Sequence, residues 1–301
     1  METIQKRMIP MDVIQELVLP VANKNPDFAH GSLYFVGTAT VILRYAGFTI
    51  LTDPNFLHAG EKVHIGYGLT ATRLTNPAIN LDELPPIDLV ILSHMHEDHF
   101  DRTVQKKLAK TIPIVTTPQA AKTLKQKGFQ TVYQLKTWQS FYLSKGDALL
   151  HITAMPGKHG PGPLNLLMPQ VMGSMLEFQH TDGNHTAFTT YITGDTLLYK
   201  DLRKIHQRFP DIDLALLHLG GTKIFGIMLT MDGKQGVALT RMIAPSPVPG
   251  KLTVIPIHYD DYDAFKSPLD DFVKAFLDSG LENQVRYLHQ GDTYTFELAH
   301  T

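Results

Sequence analysis

Residues 87–100 read IDLVILSHMHEDHF, a short apolar run followed by a crowd of histidines and acids. The run IDLVIL has the length and the β-branched content of a strand that is buried on both faces. A strand that ends at Leu92 carries the next loop to the edge of a sheet, where several side chains can point into one cleft while the scaffold stays rigid. The stretch therefore predicts a functional loop at a strand end.

The polar residues of this loop alternate in the way that metal binding requires. His94 and His96 lie on one side of an extended segment and can share one ion, whereas the adjacent Asp98 and His99 point elsewhere and can hold a second ion. Neutral imidazole and carboxylate are donors that zinc and similar first-row ions accept. A solvated loop or a helix N-cap would explain one acid and one histidine of the four, so the pattern favours a metal site.

Composition is that of an ordinary globular protein and restricts the choice of ligands. The 301 residues are 43% hydrophobic and 19% charged with a net charge of -2, which argues against disorder and against nucleic-acid binding through a strongly basic surface. No apolar run approaches the roughly 20 residues of a membrane span, and the start of the chain lacks the apolar core of a secretion signal, so we expect a cytoplasmic protein without a membrane anchor. Because cysteine is absent, any metal must be bound by His, Asp or Glu.

Strand-like runs alternate with amphipathic stretches, and no Ser/Gly-rich linker separates them. Residues 212–217 (IDLALL) repeat the pattern of 87–92 and suggest two similar halves. Strands outnumber helices, so we expect two packed sheets with helices outside, in a single domain over residues 1–301 with an N-terminal extension, 1–30, of undefined structure. The predicted strands are 33–36, 41–45, 48–52, 87–92, 112–116, 149–154, 173–179, 187–193 and 252–257. The predicted helices are 104–110, 117–128, 234–243 and 267–279, the last opened by a capping box at Ser267.

Two ions need more ligands than one loop supplies, and three further candidates stand after predicted strands. His159 follows 149–154 in a loop rich in Gly and Pro, Asp195 follows 187–193 and a glycine, and His258 directly follows 252–257. A lone loop histidine, an Asx turn and a helix cap are ordinary alternatives for such residues. We interpret them as ligands because each side chain is presented from the end of an apolar strand.

The order of these residues resembles the metallo-β-lactamase superfamily, in which a His-x-His-x-Asp-His motif is followed by a His, an Asp and a His after successive strands. The match extends over residues 33–259. The resemblance implies a four-layer αββα sandwich of the α+β class and two divalent ions, zinc first with manganese or iron as alternatives. By the same resemblance His94, His96 and His159 would bind one ion, Asp98, His99 and His258 the second, and Asp195 both.

Shorter stretches narrow the resemblance to one branch. GTAT at 37–40, ILTDP at 50–54 and IPIHY at 255–259 look like the branch that contains ascorbate-6-phosphate lactonases and N-acylphosphatidylethanolamine-type phospholipases D. Glu97 stands where this branch often carries a bulkier neutral or aromatic residue. This departure bears on substrate preference and not on the metals.

The implied centre predicts hydrolysis. Two ions that share a water lower its pKa and present hydroxide to a carbonyl or phosphorus centre, so we expect a dinuclear hydrolase that cleaves a small ester, a lactone or a phosphodiester. Asp98 would orient the hydroxide and help to pass a proton to the leaving group while it remains a ligand. Asp53, His218 and Asp232 are weaker candidates for side chains that hold the ligands in place.

Two long loops are expected to choose the substrate. Residues 160–172, rich in Leu and Met, form either an apolar lid or a packing surface for the sheet or for a partner in a homo-oligomer. Residues 56–76 either receive an anionic small molecule or are simply solvated. Their candidate contacts are His58, Lys62, His64, Tyr67 and Arg73.

Three other functions stay open at this point. A nuclease is disfavoured because the chain has no basic tract and no attached RNA-binding module. Redox chemistry at two irons is disfavoured because relatives of that kind usually place an acid where His96 stands. A non-catalytic metal-binding or sensing protein is disfavoured because every expected ligand is present.

Overall fold

Two seven-stranded sheets form the framework of the chain in the computed structural model, which describes residues 13–21, 26–66, 68–182, 186–224, 226–245 and 251–298. The first sheet contains, in spatial order, β18 (Thr293–Glu297), β2 (His30–Gly37), β3 (Thr40–Tyr45), β4 (Phe48–Thr52), β7 (Leu89–Leu92), β8 (Ile114–Thr116) and β9 (Val132–Gln134). The second contains β1 (Val13–Val18), β10 (Ser140–Lys145), β11 (Ala148–Met155), β12 (Gly173–His180), β13 (Thr186–Ile192), β14 (Leu214–His218) and β17 (Thr253–Ile257).

Helices and two small hairpins complete the described part of the chain. The helices are α1 (Arg102–Lys107), α2 (Pro118–Gln126), α3 (Arg203–Arg208), α4 (Gly233–Ile243) and α5 (Leu269–Ser279), with short 3-10 turns at Leu81–Glu83, Gly162–Leu166, Lys200–Leu202 and Glu282–Gln284. The hairpins are β5 (Lys62–Gly66) with β6 (Leu69–Thr72), and β15 (Lys223–Ile224) with β16 (Ile227–Met228). No helix among the described residues is both long and apolar enough to cross a bilayer.

The central strands are buried on both faces, which produces the layers. In β7, Leu89 and Ile91 enter the core shared by the two sheets, whereas Val90 and Leu92 pack with residues of α1 and α2. Successive side chains of a strand point to opposite faces, so a strand that is apolar throughout needs a cover on each side. Residues of α3, α4 and α5 pack against the second sheet. The architecture is the predicted four-layer αββα sandwich of the α+β class.

The two sheets repeat one arrangement. In the first, β2, β3 and β4 are antiparallel neighbours, and β7 and β8 then follow in parallel. In the second, β11, β12 and β13 are antiparallel, and β14 and β17 follow in parallel. The two segments with the repeated IDLxxL pattern become β7 and β14, which occupy equivalent places, so the predicted likeness of the two halves is confirmed.

Most predicted elements are present, with ends that shift by a few residues. The helix predicted at 104–110 begins at Arg102, because the Asp101 side chain accepts hydrogen bonds from the N–H groups of Thr103 and Val104. Sequence reasoning missed β1, β9, β10 and β18, together with helix α3 and the two small hairpins. The segment 1–30, predicted without defined structure, supplies β1, which pairs in parallel with β10. That residues 1–301 form a single domain stays a prediction.

The capping box predicted at Ser267 is wrong. Helix α5 begins at Leu269 with Pro268 as its N-cap, and no side chain caps it. The Ser267 hydroxyl instead donates to Asp271 Oδ2 at 3.2 Å.

Replacement of Leu43 by Ala tests the shared core. Leu43 of β3 has no exposed surface and lies in the core shared by the two sheets, where Tyr45 of β3 and Phe178 of β12 also meet with ring centroids 5.1 Å apart. We expect Leu43→Ala to lower the free energy of unfolding by about 2–5 kcal/mol in urea titrations, because it removes buried contacts and leaves a cavity. The neighbouring exposed residue is the control, since Arg44→Ala should change stability by at most about 0.5 kcal/mol. Equal effects of the two substitutions would contradict the assigned faces of β3.

Candidate metal centre

The candidate centre lies where parallel strands of both sheets end. Four of the predicted ligands lie in the loop after β7, while His159 follows β11, Asp195 follows β13 and His258 follows β17. In each of two clusters the potential ligand atoms lie within 4.8 Å of one another. The rings of His94 and His99, one from each cluster, have centroids only 4.2 Å apart. The first cluster is His94, His96 and His159, and the second is Asp98, His99, Asp195 and His258.

Three ring nitrogens face one another in the first cluster. His96 Nδ1 lies 2.9 Å from His94 Nε2 and 3.3 Å from His159 Nε2. The carbonyl oxygen of Leu229 lies 3.2 Å from His159 Nδ1, and because a carbonyl only accepts, Nδ1 carries the proton and Nε2 directs a lone pair inward. Ser93 Oγ lies 3.0 Å from His94 Nδ1; because a hydroxyl both donates and accepts, this contact orients the ring without fixing which nitrogen carries the proton. Inward-facing lone pairs at these separations are the arrangement that a shared cation stabilises.

Carboxylates and imidazoles interleave in the second cluster. Asp195 Oδ1 lies 3.4 Å from His99 Nε2 and 3.5 Å from His258 Nδ1. On the other side of the His258 ring, Nε2 lies 3.5 Å from Asp98 Oδ2. These distances bring opposite partial charges together, yet they are too long for strong hydrogen bonds. The cluster is therefore spaced for an atom between its members rather than for direct contacts.

Five buried atoms of the second cluster have no hydrogen-bond partner among the described residues. They are Asp98 Oδ1, His99 Nε2, Asp195 Oδ1, and both ring nitrogens of His258. An unsatisfied buried polar group costs about 1–3 kcal/mol, and more when it is charged, so native proteins rarely retain one. One atom from each of these four residues could face a cation, and their nitrogen and oxygen chemistry suits a first-row divalent ion. The residues present therefore fit a metal.

The histidines of the first cluster are neutral. Burial, together with neighbouring imidazoles, lowers the pKa of His96 to about 4 and holds the pKa of His94 well below its usual range. Burial likewise lowers the pKa of His159. Neutral imidazole is the form that binds a metal, so this cluster need not lose protons to accept an ion near pH 7.

The second cluster is ionised in the absence of a metal. Burial tends to raise the pKa of Asp98, but the His99 and His258 rings outweigh it and bring that pKa to about 2. Burial alone would lower the pKa of His99, whereas the carboxylates of Asp195, Asp53 and Asp98 hold it well above the usual value. The carboxylates are thus ready as ligands, and metal binding at this cluster displaces a proton from His99.

Asp53 connects the ligand loop to the sheet beneath it. Its Oδ2 lies 3.1 Å from His99 Nδ1 and 3.4 Å from His218 Nε2, and its Oδ1 accepts a hydrogen bond from Ser93 N at 2.7 Å. The carboxylate therefore fixes the orientation of His99, with Nε2 directed toward the cluster. The structure places Asp53 and His218 together behind the predicted ligands, while Asp232 caps α4 by accepting from Gln235 N at 2.9 Å. A role for Asp232 at the metals stays a prediction.

Close backbone packing fixes the first residue of the ligand loop. Ser93 O accepts from Met172 N at 3.1 Å. Gly194 has φ of 60°, and a Cβ added there would lie 2.7 Å from Met172 O and 3.1 Å from Ser93 Cβ. Only glycine fits this left-handed, crowded position. The glycine that precedes Asp195 is therefore needed for the loops to meet.

Strained backbone accompanies two of these side chains. His258 and Asp53 have φ of 64° and 35°, in the left-handed region that non-glycine residues seldom adopt. His258 is held there by a 2.6 Å hydrogen bond from its N–H to Thr38 O. Such strain persists where the surrounding structure enforces it, which is characteristic of functional sites.

Some contacts at the site were not foreseen. The Thr230 hydroxyl donates to Asp195 Oδ2 at 3.2 Å, and no motif in the surrounding sequence marks this threonine. Arg73, a candidate for binding an anionic substrate, is only 1% exposed and donates to the Asn55 side chain and to Thr75 O. Its guanidinium therefore serves the interior and is not available to a substrate.

The two loops expected to choose the substrate differ in exposure. His58, Lys62 and His64 are exposed, whereas Tyr67 lies outside the described residues. In the segment 160–172, Leu166 is 85% exposed while Met172 is buried. Both loops thus retain surface that a ligand or a partner can reach.

Comparison with known proteins identifies the family. The beta-lactamase superfamily domain matches residues 49–259. A UPF0173 metal-dependent hydrolase of Thermodesulfovibrio yellowstonii is 25% identical over 280 residues, which cover 85% of this chain and 96% of that protein. The mitochondrial N-acyl-phosphatidylethanolamine-hydrolyzing phospholipase D of Saccharomyces cerevisiae is 28% identical over 224 residues, 72% of this chain and 46% of that protein.

A solved structure shows the same fold. The isothiocyanate hydrolase from Delia radicum gut bacteria matches with a TM-score of 0.72 at 24% identity, over 89% of this chain and all of that one. The sandwich architecture, the donor clusters at its strand ends and the matched domain agree with one another. The chain belongs to the beta-lactamase superfamily and is a metal-dependent hydrolase.

Proposed function

We propose that the chain is a dinuclear hydrolase that cleaves a small ester, a lactone or a phosphodiester, at the two clusters. The observation that carries this proposal is the set of five unpaired buried atoms in the second cluster, beside a first cluster whose three ring nitrogens converge. Two adjacent donor sets are what a pair of ions needs.

The proposed ligand sets follow the geometry. Asp195 belongs to the second cluster, and its charge partly offsets the burial that lowers the pKa of His94 and of His159 in the first, which supports a carboxylate shared between two ions. Nitrogen and oxygen donors suit zinc, with manganese and iron as alternatives. The chemistry that such ions supply when bound is a lower pKa for water and polarisation of the oxygen under attack. One ion would be held by His94, His96 and His159, the other by Asp98, His99 and His258, and both by Asp195.

Asp98 is the proposed catalytic residue. It is ionised, and one of its oxygens has no hydrogen-bond partner among the residues that the structure describes. A carboxylate in this state can accept a proton from the attacking water and deliver it to the leaving oxygen. Asp53 and Thr230 complete the arrangement, because they orient His99 and Asp195 from behind.

The substrate proposed is a small molecule. A relative named for hydrolysing N-acyl-phosphatidylethanolamine supports the phosphodiester alternative, and the exposed Lys62 and His64 offer groups that can attract an anion. The lactone alternative depends on the sequence resemblance to the lactonase branch. An assay against both classes separates the two.

Removal of single ligands tests the metal centre. We expect His96→Ala and Asp195→Ala each to reduce bound metal, measured by plasma mass spectrometry, and to abolish turnover of a lactone panel and of bis(p-nitrophenyl) phosphate. Circular dichroism should still show a folded chain, because the core does not depend on these side chains. The control is His289→Ala, which removes an exposed histidine outside both clusters and should leave metal content and turnover unchanged.

Two outcomes would contradict this proposal. Full activity in either ligand variant would refute the assignment of that ligand. A wild-type protein that binds metal but hydrolyses neither the lactones nor the phosphodiester would favour a binding or sensing role.

Asp53→Asn tests the support of the ligands. The amide keeps the shape of the carboxylate but cannot balance the charge of the His99 ring or of an ion, so we expect metal affinity to fall by about 10–100-fold in chelator competition. Asp88→Asn is the matched control. Asp88 Oδ2 also accepts a backbone N–H, that of Thr49 at 2.8 Å, but it lies outside both clusters, so the substitution should leave metal affinity unchanged. If both variants weaken metal binding equally, the distinction drawn between the two aspartates is incorrect.

A further inference from the structure

The β5–β6 hairpin contacts the neighbourhood of the metal centre through a small apolar cluster of its own. That cluster consists of Leu57, Val63, Ala71 and Tyr262. Phe265 packs against it, and the Phe265 ring lies 4.3 Å from the ring of the proposed ligand His258, centroid to centroid. The hairpin therefore adjoins one side of the second cluster.

Strand β5 of the hairpin is held by a residue of the ligand loop itself. Glu97 lies between His96 and Asp98, but its carboxylate belongs to neither cluster. Its Oε2 accepts a hydrogen bond from His64 N at 2.8 Å, and its backbone carbonyl accepts from Asn55 Nδ2 at 2.8 Å. The backbone of Glu97 is thus part of the metal loop, and its side chain reaches the backbone of the hairpin.

Other polar contacts fasten the two ends of the hairpin. Arg102 donates to Lys62 O at 2.7 Å and pairs with Glu61 at 2.7 Å, and Thr72 N donates to Asp263 Oδ1 at 2.9 Å. The Arg102–Glu61 pair is exposed and contributes little. The Glu97 contact is likewise charge-assisted, and it joins β5 to the loop that carries His96 and Asp98.

We propose that Glu97 is a positioning residue that latches the β5–β6 hairpin to the metal loop, so that the hairpin forms one wall of the substrate cleft. Among the described residues of the hairpin only Val63 and Ala71 are buried, so the hairpin has little apolar contact to hold it closed, and segments of this kind open locally. The latch sets how far this wall stands from the second cluster. The part of the proposal that concerns substrate rests on the proposed hydrolase function.

Amide hydrogen exchange tests the latch without any substrate. We expect the His64 amide to exchange about 10–100-fold faster in Glu97→Ala than in the wild type, the ratio that corresponds to loss of a hydrogen bond to a charged group. Glu97→Gln keeps an acceptor oxygen and should fall between the two. Glu83→Ala is the matched control, because Glu83 Oε2 also accepts a backbone N–H, that of Asn80 at 2.7 Å, in a turn outside the hairpin. Metal content should be equal in all four proteins.

Steady-state kinetics test whether the hairpin forms a wall of the substrate cleft. With whichever ester of the panel the wild type hydrolyses, Glu97→Ala should raise KM by about tenfold with kcat nearly unchanged, because the metals and Asp98 remain in place while a binding surface is lost. Glu97→Gln should recover most of the wild-type KM. If the role of Glu97 were merely structural, Glu97→Ala would lower the melting temperature without this selective rise in KM.

The outcomes distinguish this proposal from the proposed function. Unchanged exchange at His64 in Glu97→Ala refutes the latch, whether or not the protein is a hydrolase. Faster exchange with unchanged KM refutes the wall. If Glu97→Ala loses metal or fails to fold, Glu97→Gln decides, because it keeps the size of the side chain and weakens the hydrogen bond by replacing a charged acceptor with a neutral one; the His64 amide must then exchange faster than in the wild type, and the proposal is overturned if it does not. A wild type inactive on the whole panel refutes the hydrolase assignment, and the exchange result still decides the latch.

Discussion

The structure is organised around buried donor atoms that no hydrogen bond from the described residues satisfies. Both ring nitrogens of His258 and one oxygen each of Asp98 and Asp195 have no hydrogen-bond partner within that part of the chain, although all three residues are buried. A fold that was selected for stability alone would remove or pair such groups, since each costs free energy on burial. Their retention makes sense when a metal supplies the missing interactions, in which case ion binding also stabilises the folded state.

Parallel strand ends solve the problem of bringing distant donors together. Asp53 follows β4, and Asp195 follows β13, its counterpart in the other sheet. His94 follows β7, while His218 ends β14 and His258 follows β17. Because each of these strands is buried on both faces toward its C-terminal end, it is held from both sides and presents its terminal side chain in one orientation. The positions of the donor side chains are therefore set by the two cores and not by the loops that carry these side chains.

The same argument explains how much the sequence could predict. The sequence pointed to the seven proposed ligands for two reasons. Histidine and aspartate seldom cluster so densely, and these residues stand directly after apolar strands. Support from Thr230 was missed because it depends on where a loop 35 residues from Asp195 returns in space, for which no local pattern exists. Arg73 was misjudged for a related reason, since an arginine in a polar loop is normally solvated, and only the tertiary structure shows Asn55 and Tyr262 enclosing it. The Ser267 capping box failed because its serine bonds to Asp271 instead of to the backbone of the helix start.

The division between core and loops also separates metal binding from substrate choice. The donors are fixed by two hydrophobic cores, whereas the β5–β6 hairpin rests on a separate, smaller cluster and on polar contacts. A change of one residue in such an attachment alters the cleft without moving a ligand, because the ligands are held from the opposite side by Asp53 and the strand ends. Glu97, which departs from the pattern of the branch that the sequence resembles, stands at this boundary, with its backbone in the metal loop and its carboxylate on the hairpin.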